Sequence, residues 1–169
     1  MRNILIIGSG KSTSYLIKYL LDKSETEQLH ITIGDLDIEA AKKMTQNHKN
    51  ATAIALDVFD AESRSTAVKA ADIVISMLPA RFHIEVAKDC VTYKKHMVTA
   101  SYVSPEMESL NDDAIKNNLV FMNEIGVDPG IDHMSAMKVI DDIREKGGKV
   151  ILFESFTGGL VAPESDNNL

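Results

Sequence analysis

A chain of 169 residues, 44% hydrophobic and 25% charged, has the size and balance to bury one sizeable core, so one principal domain is expected. Its formal net charge of −7 leaves no basic face to neutralise a phosphate backbone, and 5% aromatic residues with no Trp offer little for stacking bases, which argues against nucleic-acid binding. The lone Cys90 cannot form an internal disulfide, the opening MRNILIIG lacks signal-peptide character, and no apolar stretch nears the roughly 20 residues of a membrane helix, so a reducing cytoplasmic setting is expected.

The first element is an apolar strand, Asn3–Ile7, leading through Gly8-Ser9-Gly10 into a helix predicted over Ser12–Asp22. Strand before and helix after give such a loop its meaning, because backbone amides at the helix start can approach a pyrophosphate with the helix dipole behind them. The third small residue of the dinucleotide fingerprint falls at Thr13, which puts close helix packing in question. The competing reading, a bare βα turn that binds nothing, uses the same residues. Gly10-Lys11-Ser12 also invites a triphosphatase reading, but that loop needs a glycine where Leu5 stands inside the strand, so it is too short to wrap a β-phosphate.

A second strand, His30–Ile33, ends near Asp35, close to the spacing at which an acidic side chain accepts hydrogen bonds from the adenosine ribose. A carboxylate there repels the 2′-phosphate of NADP, and the next residue is Leu36 rather than Arg. NAD is therefore the expected cofactor and NADP the alternative, with Lys11, Lys42 and Lys43 the cations that could serve a phosphate. A helix over Ile38–Asn47 follows, then a strand Thr52–Ala55 whose end, Asp57-Val58, could touch adenine. Next come a short helix Ala61–Ala70 and a strand Ile73–Met77, whose exit Leu78-Pro79 should meet the cofactor's middle.

Phe82–Val91 is predicted helical, Met97–Ala100 a fifth strand, Pro105–Asn117 a helix capped by Ser104, and Leu119–Met122 a sixth strand. Strands alternating with helices describe an α/β, Rossmann-type, doubly wound parallel sheet. A helix from Ile131 to Lys146 carries Met134, Met137, Ile140 and Ile143 on one side, read most simply as core, and stops at Gly147-Gly148. Lys149–Phe156 then reads as a strand with no partner in the six-strand plan, followed by Thr157-Gly158-Gly159 and a polar tail. The expected division is a dinucleotide-binding domain over 1–130, and over 131–169 a connecting helix and the start of a second, α+β substrate domain.

Four segments together resemble saccharopine dehydrogenases. They are DIVISMLP with Phe82-His83, VTASYVSP ending at Pro105, MNEIGVDPGIDH from Met122 to His133, and the closing GGLVAPE. The run NEIGVDPGIDH is specific, since no generic loop needs two acids, a Pro and two glycines in that order. Among these enzymes the chain looks most like the L-glutamate-forming type, whose members continue into a substrate-binding domain, so the resemblance implies a longer enzyme. It also implies hydride transfer between NAD(P) and the secondary amine of saccharopine in lysine metabolism.

By the same resemblance, Ser101, Tyr102 and Asp128 fall on substrate-contacting positions, with Tyr102 and Asp128 the catalytic candidates. Gly8, Ser9, Gly10, Lys11, Ser12, Asp35, Leu36, Asp57, Val58, Leu78, Ala100 and Val127 fall on or near cofactor positions. Asp35-Leu36 departs from the basic residue of fungal NADP-using members, as Lys11 departs within the glycine loop. The plainer readings are that Asp128 is a turn former or helix cap, that Tyr102 packs, and that Glu124, His83 and His133 are structural. No His spacing suits zinc and Cys90 sits mid-helix, so no metal is expected. The alternatives in function are a related imine reductase, such as a carboxynorspermidine-type dehydrogenase, a non-catalytic dinucleotide-binding module, and a scaffold that uses the acidic surface. The expected partner is a small amino-acid substrate, with a homodimer allowed and no membrane or nucleic acid.

Overall fold

A computed structural model describes residues 1–156. Six parallel strands, β1 (Arg2–Ile7), β2 (Leu29–Asp35), β3 (Ala51–Ala55), β4 (Ile73–Ser76), β5 (His96–Thr99) and β6 (Phe121–Met122), form one sheet in the order β3-β2-β1-β4-β5-β6. This is the doubly wound order, and the direction of winding reverses between β1 and β4, where a crevice opens beyond the strand ends.

The helices are α1 (Ser14–Lys23), entered through a 3₁₀ turn over Lys11–Thr13, α2 (Ile38–Thr45), α3 (Ala61–Ala70), α4 (His83–Tyr93), α5 (Pro105–Glu108), α6 (Asn111–Lys116) and α7 (Ile131–Glu145). Alternation along β1 builds a core on each face of the sheet. Leu5 and Ile7 join Val68 of α3 and Val86, Ala87 and Cys90 of α4, whereas Ile4 and Ile6 join Ile17 and Leu21 of α1 and Ala41 of α2. Each fully buried aliphatic side chain contributes about 1.5–3 kcal/mol of transfer free energy. Burial pushes the Cys90 thiol up to about 12, so it behaves as a small core hydrophobe.

Local chemistry sets the helix starts. Asp37 accepts from the amides of Glu39 and Ala40, Asp60 from those of Glu62 and Ser63, and Ser104 from that of Met107, with Pro105 in the first turn. Each such cap is worth about 1 kcal/mol. The helix predicted over Pro105–Asn117 divides into α5 and α6. At the break the Leu110 amide reaches back only to the Met107 carbonyl at 3.1 Å, and the Ser109 hydroxyl donates to the Glu106 carbonyl at 2.7 Å, which tightens the turn.

A first compact unit spans Met1–His133 and a second begins at Met134. Two expectations fail beyond that point. No residue of α7 is buried, and Met134, Met137 and Ile143 are exposed rather than core. The apolar period was a sound signal for a helix, but periodicity reports which face could be covered, not that a cover is present. Residues 149–156 form no strand; Ile151, Leu152, Phe153 and Phe156 are exposed, and a β-branched run without a neighbouring strand has no ladder to join. Thr157-Gly158-Gly159 and the tail lie outside the described residues. No helix among the described residues is long and apolar enough to cross a membrane.

Candidate functional site

The glycine loop leaves β1 at the crevice. Gly8 adopts φ +103°, and a Cβ there would lie 2.9 Å from the Met77 carbonyl oxygen, so no side chain fits against the end of β4. Gly10 faces open space, with nothing within 4 Å of its would-be Cβ. Thr13, whose bulk put helix packing in question, is fully buried and donates its hydroxyl to the Gly10 carbonyl at 2.9 Å. The hydroxyl thus becomes a brace for the loop instead of an obstacle.

Asp35 closes the loop from the other side. Its Oδ2 accepts from the Ser9 amide at 2.6 Å and the Ser9 hydroxyl at 2.7 Å, and its Oδ1 accepts from the Asp37 amide at 3.0 Å. Partial burial opposes the charge, but the hydrogen bonds from Ser9, Asp37 and Leu36 outweigh it and hold the carboxyl below its ordinary range. A cleft of about 190 Å³ lies beside this contact, lined by Gly8, Asp35, Leu36, Asp57, Val58 and Leu78 together with Gly34, Phe59 and Phe82. Six predicted cofactor residues are therefore brought together. Lys11 and Ser12 lie in the 3₁₀ turn outside the cleft lining, and Ala100 and Val127 lie apart from it, beyond β5 and β6.

Sequence reasoning missed the aromatic rim. Phe59 and Phe82 meet edge to face with ring centroids 4.9 Å apart, and the Arg81 guanidinium lies 4.7 Å from the Phe82 centroid. The Val58 carbonyl just before this rim accepts from buried Arg64, whose Nε also donates to Asp89 at 2.7 Å. Two larger depressions, of about 640 and 750 Å³, contain none of Gly8, Asp35, Tyr102 or Asp128.

The predicted substrate residues assemble at the ends of β5 and β6, on the same edge of the parallel sheet as the glycine loop. Gly126 and Gly130 pack backbone on backbone, with the Gly126 amide donating to the Pro129 carbonyl at 2.8 Å and the Ile131 amide to the Gly126 carbonyl at 3.0 Å. This closed loop carries Val127 and Asp128 at its exposed tip. The Tyr102 hydroxyl donates to Asp128 Oδ1 at 2.8 Å. That bond raises the phenol above its ordinary pKa, as do the charges of Asp128, Asp132 and Glu124, so Tyr102 keeps its proton. Glu124, at φ +61°, holds both neighbours of Tyr102: its amide donates to the Ser101 carbonyl at 3.1 Å and its Oε1 accepts from the Val103 amide at 3.0 Å.

Beneath Ser101 lies a polar network that the sequence did not reveal. His83 is buried; its Nδ1 meets the Ser76 hydroxyl at 2.8 Å, and its Nε2 meets the hydroxyls of Ser101 at 2.8 Å and Thr99 at 3.2 Å. Burial depresses the imidazole pKa, which favours the neutral ring with one nitrogen donating and the other accepting. His133 instead pairs with Asp132 at 2.8 Å on the exposed start of α7. The loop and cleft lie at the strand ends, where an open parallel sheet holds a dinucleotide.

Residues 4–122 match the family model for the saccharopine dehydrogenase NADP binding domain, and residues 126–169 that for the saccharopine dehydrogenase C-terminal domain. A saccharopine dehydrogenase [NADP(+), L-glutamate-forming] of Pyricularia oryzae is 41% identical over 167 residues, which cover 99% of this chain and 36% of that protein. Alpha-aminoadipic semialdehyde synthase of Arabidopsis thaliana is 43% identical over 147 residues, covering 87% of this chain and 14% of the relative. The structure of apo saccharopine dehydrogenase (L-Glu forming) from Saccharomyces cerevisiae superposes with a TM-score of 0.77 at 33% identity, over 87% of this chain and 32% of that one. The chain thus spans about a third or less of the length of these proteins. With the first model matching from within β1 to the end of β6 and the second taking up the rest, the chain belongs to the saccharopine dehydrogenase family.

Proposed function

We propose that this chain supplies the dinucleotide site and one wall of the substrate site of an L-glutamate-forming saccharopine dehydrogenase. The observation that carries the reading is the Tyr102–Asp128 pair, at the same edge of the sheet as a glycine loop with no room for a side chain at Gly8 and open space at Gly10. That space fits a pyrophosphate approached by backbone amides, and the aromatic-rimmed cleft beyond Asp35 fits an adenosine. A nicotinamide held there would supply the hydride-accepting chemistry for the ε-carbon of saccharopine, the carbon attached to its secondary amine.

The chain's own residues then have defined tasks. Once the substrate ammonium has given one proton to water, hydride loss from the ε-carbon leaves an iminium on the same nitrogen, and the Asp128 carboxylate facing that nitrogen stabilises its positive charge. Protonated Tyr102 acts as a donor that aims Asp128, not as a base. Ser101 offers a hydroxyl to one amino-acid end of the substrate. Water adds to the imine carbon and the C–N bond breaks, giving 2-aminoadipate semialdehyde and glutamate.

NAD is the proposed cofactor. Asp35 keeps its charge at the cleft and Leu36 beside it is exposed, so a 2′-phosphate would meet a carboxylate and no cation from that turn. Three facts favour NADP instead: the family model matched over residues 4–122 is described as NADP binding, the fungal relatives are named for NADP(+), and the Asp35 Oδ2 contacts are both made to Ser9. Turnover by the full chain with each oxidised dinucleotide, and with saccharopine or carboxynorspermidine as substrate, tests the function. Reduced cofactor with release of glutamate from saccharopine is expected. Turnover of carboxynorspermidine alone would assign the chain to a different imine reductase, and turnover of neither would leave a dinucleotide-binding module.

A further inference from the structure

We propose that His83 is a positioning residue for substrate, fixing the Ser101 hydroxyl at the mouth of the site through Nε2 while its Nδ1 is anchored on Ser76 at the end of β4. The proposal rests on the function proposed above. His83 begins α4, directly after the turn that follows β4, and its ring bridges to the end of β5. The two strand ends lie side by side, with Ser76 paired to Thr99 in the sheet. One imidazole therefore links the strand expected to run beneath the cofactor to the residue expected to touch the substrate.

The mount is rigid on one side only. Ser76 is 0% exposed and Thr99 is 2% exposed, so their hydroxyls are fixed by the core, whereas Ser101 is half-buried at the mouth. The Ser101 backbone is itself held, since its carbonyl accepts from the Glu124 amide and its own amide reaches the Thr99 hydroxyl at 3.4 Å. What remains free is the rotation of its Oγ among three staggered wells, and the bond to Nε2 selects one. A single hydrogen bond suffices for that selection. Full burial of Ser76 closes the inner end of the chain of hydroxyls, so the network holds a group and does not relay a proton through to a second outlet. The other buried residues of α4, Val86, Ala87 and Cys90, join the apolar core, so His83 stands apart from them in carrying a polar network.

The test exploits the shape of the two amides. Asn places a polar atom near the Nδ1 position and Gln one near Nε2, so in the full chain His83→Asn keeps the Ser76 side and releases Ser101, while His83→Gln keeps a partner for Ser101. His83→Asn is expected to lower kcat/KM for saccharopine by about 10-fold to 100-fold, mainly through KM, with dinucleotide Kd unchanged. His83→Gln should recover most of that loss although both variants melt early. In a Ser101→Ala background the loss from His83→Asn should vanish. Equal losses in the two variants, or an undiminished loss beside Ser101→Ala, would show a merely structural histidine. The imidazole ¹⁵N resonances of His83 add a reading independent of turnover: Nε2 should shift on Ser101→Ala, and an unmoved signal refutes the contact. If the parent enzyme does not turn over saccharopine, the proposed function falls while this resonance still decides whether His83 holds Ser101.

Discussion

Tyr102 and Asp128, 26 positions apart in the chain, meet at 2.8 Å with the phenol donating and the carboxylate accepting. The raised phenol pKa comes first from this bond and also from the carboxylate's charge, so Asp128→Asn, which leaves a weaker neutral acceptor and no charge, should move the Tyr102 ionisation down toward its ordinary value of about 10. Phenolate absorbance in an alkaline titration, compared with that of Tyr102→Phe to isolate the signal, reads it directly. An unchanged titration would mean that the two side chains do not share the proton in solution.

Asp128→Asn also separates charge from shape in catalysis. With the amide still able to accept from Tyr102, only stabilisation of the cationic nitrogen is lost. We expect kcat/KM for saccharopine in the full chain to fall by about 10-fold to 1000-fold, or about 1.4 to 4 kcal/mol of transition-state stabilisation. Dinucleotide affinity and Tm should change little. Normal turnover would leave Asp128 a turn residue, and early melting with loss of both ligands would make it structural.

Asp35 has two expected signatures. Calorimetric titration of the full chain should show NAD binding more tightly than NADP, with Asp35→Ser combined with Leu36→Arg shifting the preference toward NADP; tighter NADP binding by the parent would refute the cofactor assignment. The second signature is acid sensitivity. Asp35 has a folded-state pKa below its unfolded one, so its contribution to stability is fully present above the unfolded value of about 3.9 and is lost as pH falls through the lower folded value. The stability advantage of the parent over Asp35→Asn should shrink between neutral pH and about pH 3, as measured by denaturant midpoints. A constant difference would show that the carboxylate's charge is not what Ser9 engages.

The two loop glycines should fail differently. Gly8→Ala forces a Cβ onto the Met77 carbonyl at a φ that side chains rarely adopt, so Tm should fall. Gly10→Val puts a side chain into open space, so folding should survive while dinucleotide binding is lost. Thermal melts paired with dinucleotide titration separate the outcomes. A Gly10→Val protein with undiminished affinity would mean that the cofactor does not approach this loop.

Much of this was legible in the chain because it depends on local order. Ile4 to Ile7, the Gly8-Gly10 turn and the Ser104 start each announce an element within a few residues, and repeated βα units then leave few topologies. The run around Asp128 was likewise readable as a loop. What stayed hidden depends on partners distant in sequence. Ser76, Thr99 and Ser101 reach His83 from two strands and a loop, and no spacing rule connects them. Asp35 was expected to face a ribose, and its grip on Ser9 appears only once β1 and β2 lie side by side. Met134, Met137 and Ile143 illustrate the converse, since their helix formed as its pattern required but its apolar side remained uncovered.

The most direct test of the account follows one hydrogen. Saccharopine carrying deuterium at the ε-carbon, incubated with the full chain and oxidised dinucleotide, should yield deuterium on the reduced nicotinamide together with glutamate and 2-aminoadipate semialdehyde. Unlabelled reduced cofactor accompanied by lysine and 2-oxoglutarate would place the hydride donor on the glutamate side of the nitrogen and contradict the proposed reaction.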